Sequence, residues 1–286
     1  WNVKGKKYLT GIFNYAVSFN QDLNNWDVSS AENLGGLFSF AENFNGDVTT
    51  WNTSNVSSLY WTFINCNSFN QDIGSWDVSN VTDMSRTFAT NFKFNQDISS
   101  WDVSKVESMQ DLFMSARVFN QDISSWDVSN VKDMSGMFAA ANSFEGDITS
   151  WNTSSVEDMD EMFYNNQFFN QDIGNWNVSN VKRMNVMFFG ALAFNQDISG
   201  WNVSNVTDMS RIFNYASSFN QHLDRWILTN LSKAENPFYN ASKFNGKIPV
   251  KFLEVTDNLN GYFLGTEFNQ NIINWDVSHI TSMIGT

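Results

Sequence analysis

The chain has 286 residues and a net charge of −14 at pH 7, from 30 acidic against 16 basic side chains. That balance argues against nucleic-acid backbones and anionic lipid surfaces as partners. The single cysteine excludes an internal disulfide framework, and no run of about 18 apolar residues is present to span a membrane.

Length alone would allow two ordinary domains, but internal repetition overrides that count. Trp1, Trp26, Trp51, Trp76, Trp101, Trp126, Trp151, Trp176, Trp201 and Trp226 lie 25 residues apart. Lys251 interrupts the series and Trp275 resumes it one residue early. Counted from each Trp as position 0, position 12 is Phe in all eleven full units and position 18 carries a second Phe column. These two columns take 22 of the 27 phenylalanines. A repeat array grows by stacking units rather than by adding cores, so residues 1–286 are expected to form a single repeat domain, with irregular units over 226–274. The chain opens at Trp1 in phase with the repeat and stops in mid-repeat, so it is expected to be a stretch of a longer protein, with any signal or anchor outside it.

Within one unit the predicted elements run in order. Ile123, Trp126 and Val128 read as the inward face of a strand, with Asp127 pointing out. Ser129 and Asn130 follow as N-cap residues, with Asp133 placed like the acid of a capping box. Val131, Met134, Phe138 and Ala141 are then spaced 3, 4 and 3, one face of a short helix. Asn, Gly and Asp in the next stretch turn the chain back. The expected fold is therefore an α/β repeat: a leucine-rich-repeat-like solenoid of about eleven 25-residue strand–helix–turn units, with Trp stacked on Trp and Phe on Phe.

The phrase I-x-x-W-D-V-S-N-V, as at Ile123–Val131, has the form of a leucine-rich-repeat strand with Trp and Val in leucine places. The whole unit, V-x-x-M-x-x-M-F-x-x-A-x-x-F-N-Q-D-I-x-x-W-D-V-S-N, resembles the BspA-like leucine-rich-repeat surface proteins, and within them the mycoplasma-type lipoprotein repeat. The resemblance covers essentially all of 1–286. It implies a secreted or surface-anchored solenoid, often of adhesin type, with no catalytic activity carried by the repeat. The unit 226–250 and its successor at Lys251 depart from the pattern, where altered curvature or an exposed site is expected.

Four groups of residues compete for a functional role. Position 21 is an acidic column that includes Asp72, Asp97, Asp122, Asp147, Asp172 and Asp197. Stacked carboxylates about 5 Å apart would repel unless paired. They are read either as a row of calcium-like sites or as acceptors of backbone N–H bonds in the turn before the strand. One carboxylate per unit is a poor supply for an ion that wants six or more oxygens, so the turn reading is preferred. Positions 1 and 3 would form a flat polar face on a continuous sheet: Asp77, Ser79, Asp102, Ser104, Asp127, Ser129, Asn177, Ser179, Asn202 and Ser204. This is the candidate binding face, weighed against a hydrated face that keeps the sheet soluble. Nine glycosylation sequons occur; Asn52 and Asn80 sit where copying the template would create them, and Asn240 is the one the template explains least. Cys66 stands in an alanine column and reads as a packed thiol.

No catalytic constellation, phosphate loop or His/Cys metal set rises above the template, so no cofactor and no enzyme is expected. The expected function is non-catalytic: an extracellular or cell-surface protein mediating adhesion or protein–protein contact with a protein or glycan partner. The alternative is a building block of an extracellular filament, coat or wall, meeting further repeats of the same assembly.

Overall fold

The structure is a computed structural model that describes all 286 residues, Trp1–Thr286. The residues fall into two compact units, Trp1–Trp151 and Asn152–Thr286. Within each unit the 25-residue period appears as layers whose equivalent residues lie against one another.

The layers are not built from strands and helices. The one helix of the chain is α1, Lys251–Glu254, and it is four residues long. There is no sheet; layers are joined by isolated parallel bridges at position 7, such as Ser58 with Asp83 and Asp83 with Ser108. The α/β leucine-rich-repeat-like solenoid expected from the spacing is therefore wrong. Each layer is a chain of β-turns.

The segment that reads as a helix shows why. Over Val131–Ala141 the bonds within the layer run three residues apart: Met137 N to Met134 O at 3.2 Å, Ala139 N to Gly136 O at 3.0 Å and Ala141 N to Phe138 O at 3.1 Å. Gly136 and Ala140 have φ of 61° and 54°. A left-handed residue every fourth position forbids a right-handed helix, whereas the third residue of a β-turn accepts it. Successive turn corners pointing inward reproduce the 3-4-3 apolar spacing, so periodicity alone does not separate them from a helical face. Asp133 caps no helix: its Oδ1 accepts the Ser135 N–H at 2.9 Å and the Ser135 hydroxyl at 2.6 Å. Nor is Ile123–Val128 a strand. Trp126 N bonds Ile123 O at 3.1 Å and Val131 N bonds Val128 O at 3.0 Å, two further turns.

The backbone groups left over by the turns bond between layers. Met84, Arg86, Phe88 and Thr90 donate to Ser108, Gln110, Leu112 and Met114 of the next layer at 3.0, 2.8, 3.0 and 2.6 Å. Buried N–H groups must find acceptors somewhere, and here the neighbouring layer supplies them.

The core is a set of stacked rings. In the first unit Phe88 lies 4.0 Å from Phe94 within a layer and 5.8 Å from Phe113 in the next, stacked nearly parallel in both cases. Trp101 stacks on Trp126 at 6.5 Å and 4°, and Trp126 is only 3% exposed. Indole N–H groups of the Trp column from Trp51 to Trp151 also tie layers together: Trp126 Nε1 donates to Ile98 O at 3.1 Å. Burying one such ring removes about 150–250 Å² from water, a gross gain of about 4–6 kcal/mol before entropy is counted. In the second unit Phe188 repeats the geometry, 4.0 Å from Phe194 and 5.7 Å from Phe213.

The irregular stretch keeps the core while changing the chain path. Lys251 replaces the column tryptophan, and α1 follows at once. Its Phe252 is fully buried and meets Phe238 edge-on at 5.8 Å, taking the contact that Trp226 makes with Phe213 at 6.4 Å one layer earlier. The Tyr262 hydroxyl donates to Phe252 O at 3.0 Å. After the deletion, Phe268 rejoins its column 6.2 Å from Phe244. No helix of the chain is long and apolar enough to cross a membrane.

Candidate functional site

The polar face at positions 1 and 3 is made of turns, not of a sheet. Asp77 Oδ1 accepts the Ser79 N–H at 3.0 Å and its hydroxyl at 2.6 Å. Asp102 with Ser104, Asp127 with Ser129, Asn177 with Ser179 and Asn202 with Ser204 make the same side-chain-to-backbone bond at 3.1, 3.0, 3.1 and 3.2 Å. The Ser hydroxyls and N–H groups hold Asp77, Asp102 and Asp127 below the ordinary carboxylate value. Each pair closes an Asx turn, and that local demand accounts for the near-identity of these columns.

The acidic column at position 21 does the same two residues before its own turn. Asp72, Asp97, Asp122, Asp147, Asp172 and Asp197 accept the N–H of Gly74, Ser99, Ser124, Thr149, Gly174 and Ser199 at 2.9–3.1 Å. Backbone and hydroxyl bonds from Ser124 pull Asp122 below its ordinary value, against the opposing charges of Asp147 and Asp97. Backbone N–H donation stabilises each carboxylate without an ion between neighbours, and nowhere do three His, Cys, Asp or Glu residues gather in a way that suits a metal.

Amides form two further ladders. Asn95 Oδ1 accepts the Asn120 N–H of the next layer at 2.8 Å and Gln121 Nε2 at 2.9 Å. At position 4, Asn80 Nδ2 donates to Ser54 O of the preceding layer at 2.8 Å, so the nitrogen that a glycan would occupy is engaged in layer-to-layer bonding. Asn52 turns its Oδ1 to the Ser54 N–H at 3.1 Å. Asn240 is a left-handed residue, φ 56°, whose side chain lies over Gly265. Cys66 is fully buried, its Sγ donates to Phe38 O at 2.8 Å, and burial pushes the thiol up.

Variety between layers lies elsewhere, at positions 6 and 16 and, around one groove, at positions 9, 10 and 14. In the first unit position 9 runs Thr10, Gly35, Tyr60, Ser85, Gln110, Ser135; position 10 runs Gly11, Gly36, Trp61, Arg86, Asp111, Gly136; position 14 runs Tyr15, Phe40, Asn65, Thr90, Ser115, Ala140. Position 3, by contrast, is Ser in every layer of that unit from Ser29 to Ser129. The signal was present in the sequence as column diversity. A helical reading of these positions conceals it, because only the turns bring them together on one side.

These columns build a groove of about 590 Å³ in the first unit. Tyr15 and Phe40 stack at 4.5 Å, and Tyr60 lies 5.0 Å from Trp61. Gly11, Gly35 and Gly36 line the groove without side chains, and Asn14, Asn33, Ser39, Ser58 and Asp83 add polar groups. A Cβ at Gly36 would meet nothing nearer than Ser39 Cβ at 3.9 Å, so a side chain there has open space. Arg86 holds the Trp61 ring from the next layer, its guanidinium 5.5 Å from the ring centre. Arg86 Nε donates to Asp111 at 2.9 Å; burial raises the Asp111 carboxyl and the Arg86 bond opposes that rise.

Tyr15, Phe40 and Trp61 have φ of 57°, 58° and 59°. A bulky left-handed residue costs about 1–2 kcal/mol, a cost that Gly11 and Gly36 avoid at the position equivalent to Trp61. The same left-handed φ recurs at these positions in other layers, as in Arg86 at 56° and Thr90 at 54°, so it belongs to the turn template. The second unit has its own hollow, about 610 Å³, beside α1 and lined by Lys233, Glu235, Glu254, Asp257, Asn260 and His279. Lys233 lies 3.6 Å from Glu235 and 4.0 Å from Asp208, and Glu254 pairs with Lys251 at 3.2 Å.

Layered turns with a templated side and a diverse side define a repeat protein. The family model described as "Mycoplasma protein of unknown function, DUF285" matches residues 1–63, 58–167, 140–252 and 253–286. The chain belongs to that family. No curated protein and no solved structure matches it.

Proposed function

We propose that the chain is a non-catalytic recognition protein working outside the cell or on its surface, mediating adhesion or contact with a protein or glycan partner through positions 9, 10 and 14. One observation carries this reading: side chains vary from layer to layer at positions 9, 10 and 14, where backbone bonds such as Arg86 N to Gln110 O already join the layers, and repeat where side-chain ladders join them. The resemblance to BspA-like surface repeats supports the location. The repeated ladders also favour a second reading, a building block of an extracellular coat or filament, since they would extend any stack.

The test is saturable binding of the fluorescently labelled chain to animal-cell surfaces. Binding is expected to be lost in the triple variant Tyr15→Ser, Tyr60→Ser, Trp61→Asn and kept in Asn202→Asp, which retains the position-1 acceptor. Equal binding by the triple variant overturns the reading. Concentration-dependent assembly by sedimentation, without cell binding, establishes the second reading instead.

A further inference from the structure

We infer that the groove between Tyr15, Phe40, Tyr60 and Trp61 takes a neutral saccharide; this rests on the recognition reading above and names its ligand class. Two of the rings are open to solvent, Tyr15 at 65% and Tyr60 at 40% exposed, with Phe40 and Trp61 half-buried beside them. A pyranose offers a matching flat C–H face, and the negative face of an aromatic ring attracts such hydrogens.

The polar groups around the rings are mostly amides and hydroxyls, from Asn14, Asn33, Ser39 and Ser58. These donate and accept, as sugar hydroxyls do. The ligand is neutral because the nearest cation, Arg86, is already paired with Asp111 and lies over Trp61. The Asp83 carboxylate and the net charge of −14 would repel an acidic sugar.

The volume of about 590 Å³ falls within the range of small-ligand sites. The bare glycines leave the groove formed before any ligand arrives, which lowers the ordering cost of binding. An extended peptide is the less suitable occupant. Backbone groups in the groove are already bonded between layers, Gly36 N to Tyr60 O at 2.7 Å and Gly11 N to Gly35 O at 3.1 Å. They are not available for strand addition.

Isothermal titration calorimetry of the full chain with cellohexaose, chitohexaose and maltohexaose, and with a proline-rich decapeptide, tests the inference. At least one hexasaccharide is expected to bind. Trp61→Ala should weaken that binding about tenfold or more, as truncation of a central aromatic anchor does. Gly36→Arg should abolish it by filling the groove, with the fold kept because Arg86 and Arg211 occupy the same position in other layers. Phe168→Ser, at an exposed ring in the second unit, should leave it unchanged.

No binding by any of the three sugars, binding by the peptide instead, or sugar binding indifferent to Trp61→Ala and Gly36→Arg overturns the saccharide. The wider reading fails separately. Cell binding lost in Trp61→Ala without sugar binding removes only the ligand class, whereas cell binding untouched by the groove variants removes recognition by this face.

Discussion

Two sides of the same layer obey different rules. At positions 19 to 22 and 0 to 4 the layers are joined largely through side chains: Asn95 accepts from Asn120 and Gln121, Asn130 Nδ2 donates to Ser104 O at 2.7 Å, and Trp126 donates to Ile98. At positions 8 to 14 the backbone supplies most of the hydrogen bonds between layers, as in Arg86 N to Gln110 O at 2.8 Å, beside the stacked Phe column. A side chain committed to a neighbour cannot change without loss. One that only projects from a backbone-bonded turn can be exchanged freely. The comparison teaches that in this repeat the monotonous face carries the side-chain bonds between layers, and that the diverse face is where side chains differ from layer to layer.

Four substitutions or conditions test that contrast. The largest effect is expected from Trp126→Ala, which removes a 3% exposed ring and an inter-layer hydrogen bond; urea unfolding should show a loss of about 3–5 kcal/mol. A loss below about 1 kcal/mol would mean that the templated side is not what holds the layers.

Asn95→Ala strands the Asn120 N–H and the Gln121 amide. The same measurement should give about 1–2 kcal/mol, with Asn95→Asp closer to the parent because it retains an acceptor. Equal stability of all three proteins would remove the amide ladder from the account.

Acid should act through the Asx turns. Hydroxyl and backbone bonds from Ser99 and Ser199 hold Asp97 and Asp197 below the ordinary 3.8, and Asp122 and Asp147 are lowered in the same way. Groups with a depressed folded pKa contribute stability above the unfolded value that is lost as pH falls through the folded one. Asp111 and Asp160 are raised by burial and work in the opposite sense, favouring the fold on protonation. With the depressed carboxylates more numerous, Tm is expected to hold down to about pH 5 and to fall below about pH 4. A Tm that rises on acidification would contradict the role given to these turns.

The smallest effect belongs to the diverse side. Tyr60→Ser should change stability by no more than about 0.5 kcal/mol, as befits a surface residue whose column already contains Ser85 and Ser135. A cost as large as that of Asn95→Ala would erase the distinction between the two sides.

The sequence by itself determined the period, the layer boundaries, the buried Trp and Phe columns and the place where the template breaks. Aromatic residues recurring every 25 positions leave no other economical way to be buried than against their own copies. It also contained the carboxylate-to-backbone turns, because Asp and Asn two residues before Ser, Thr or Gly make that bond locally, without help from distant chain. Only the tertiary structure decided what lies between the corners. Inward residues at spacings of three and four suit a helix and a run of β-turns equally well, and the choice depends on where the backbone N–H groups find acceptors. Here they find them in the next layer, a partner that no local window displays. That choice also set Tyr60 and Trp61 beside Gly35 and Gly36 in one groove, and separated a face of repeated serines from a face of differing side chains.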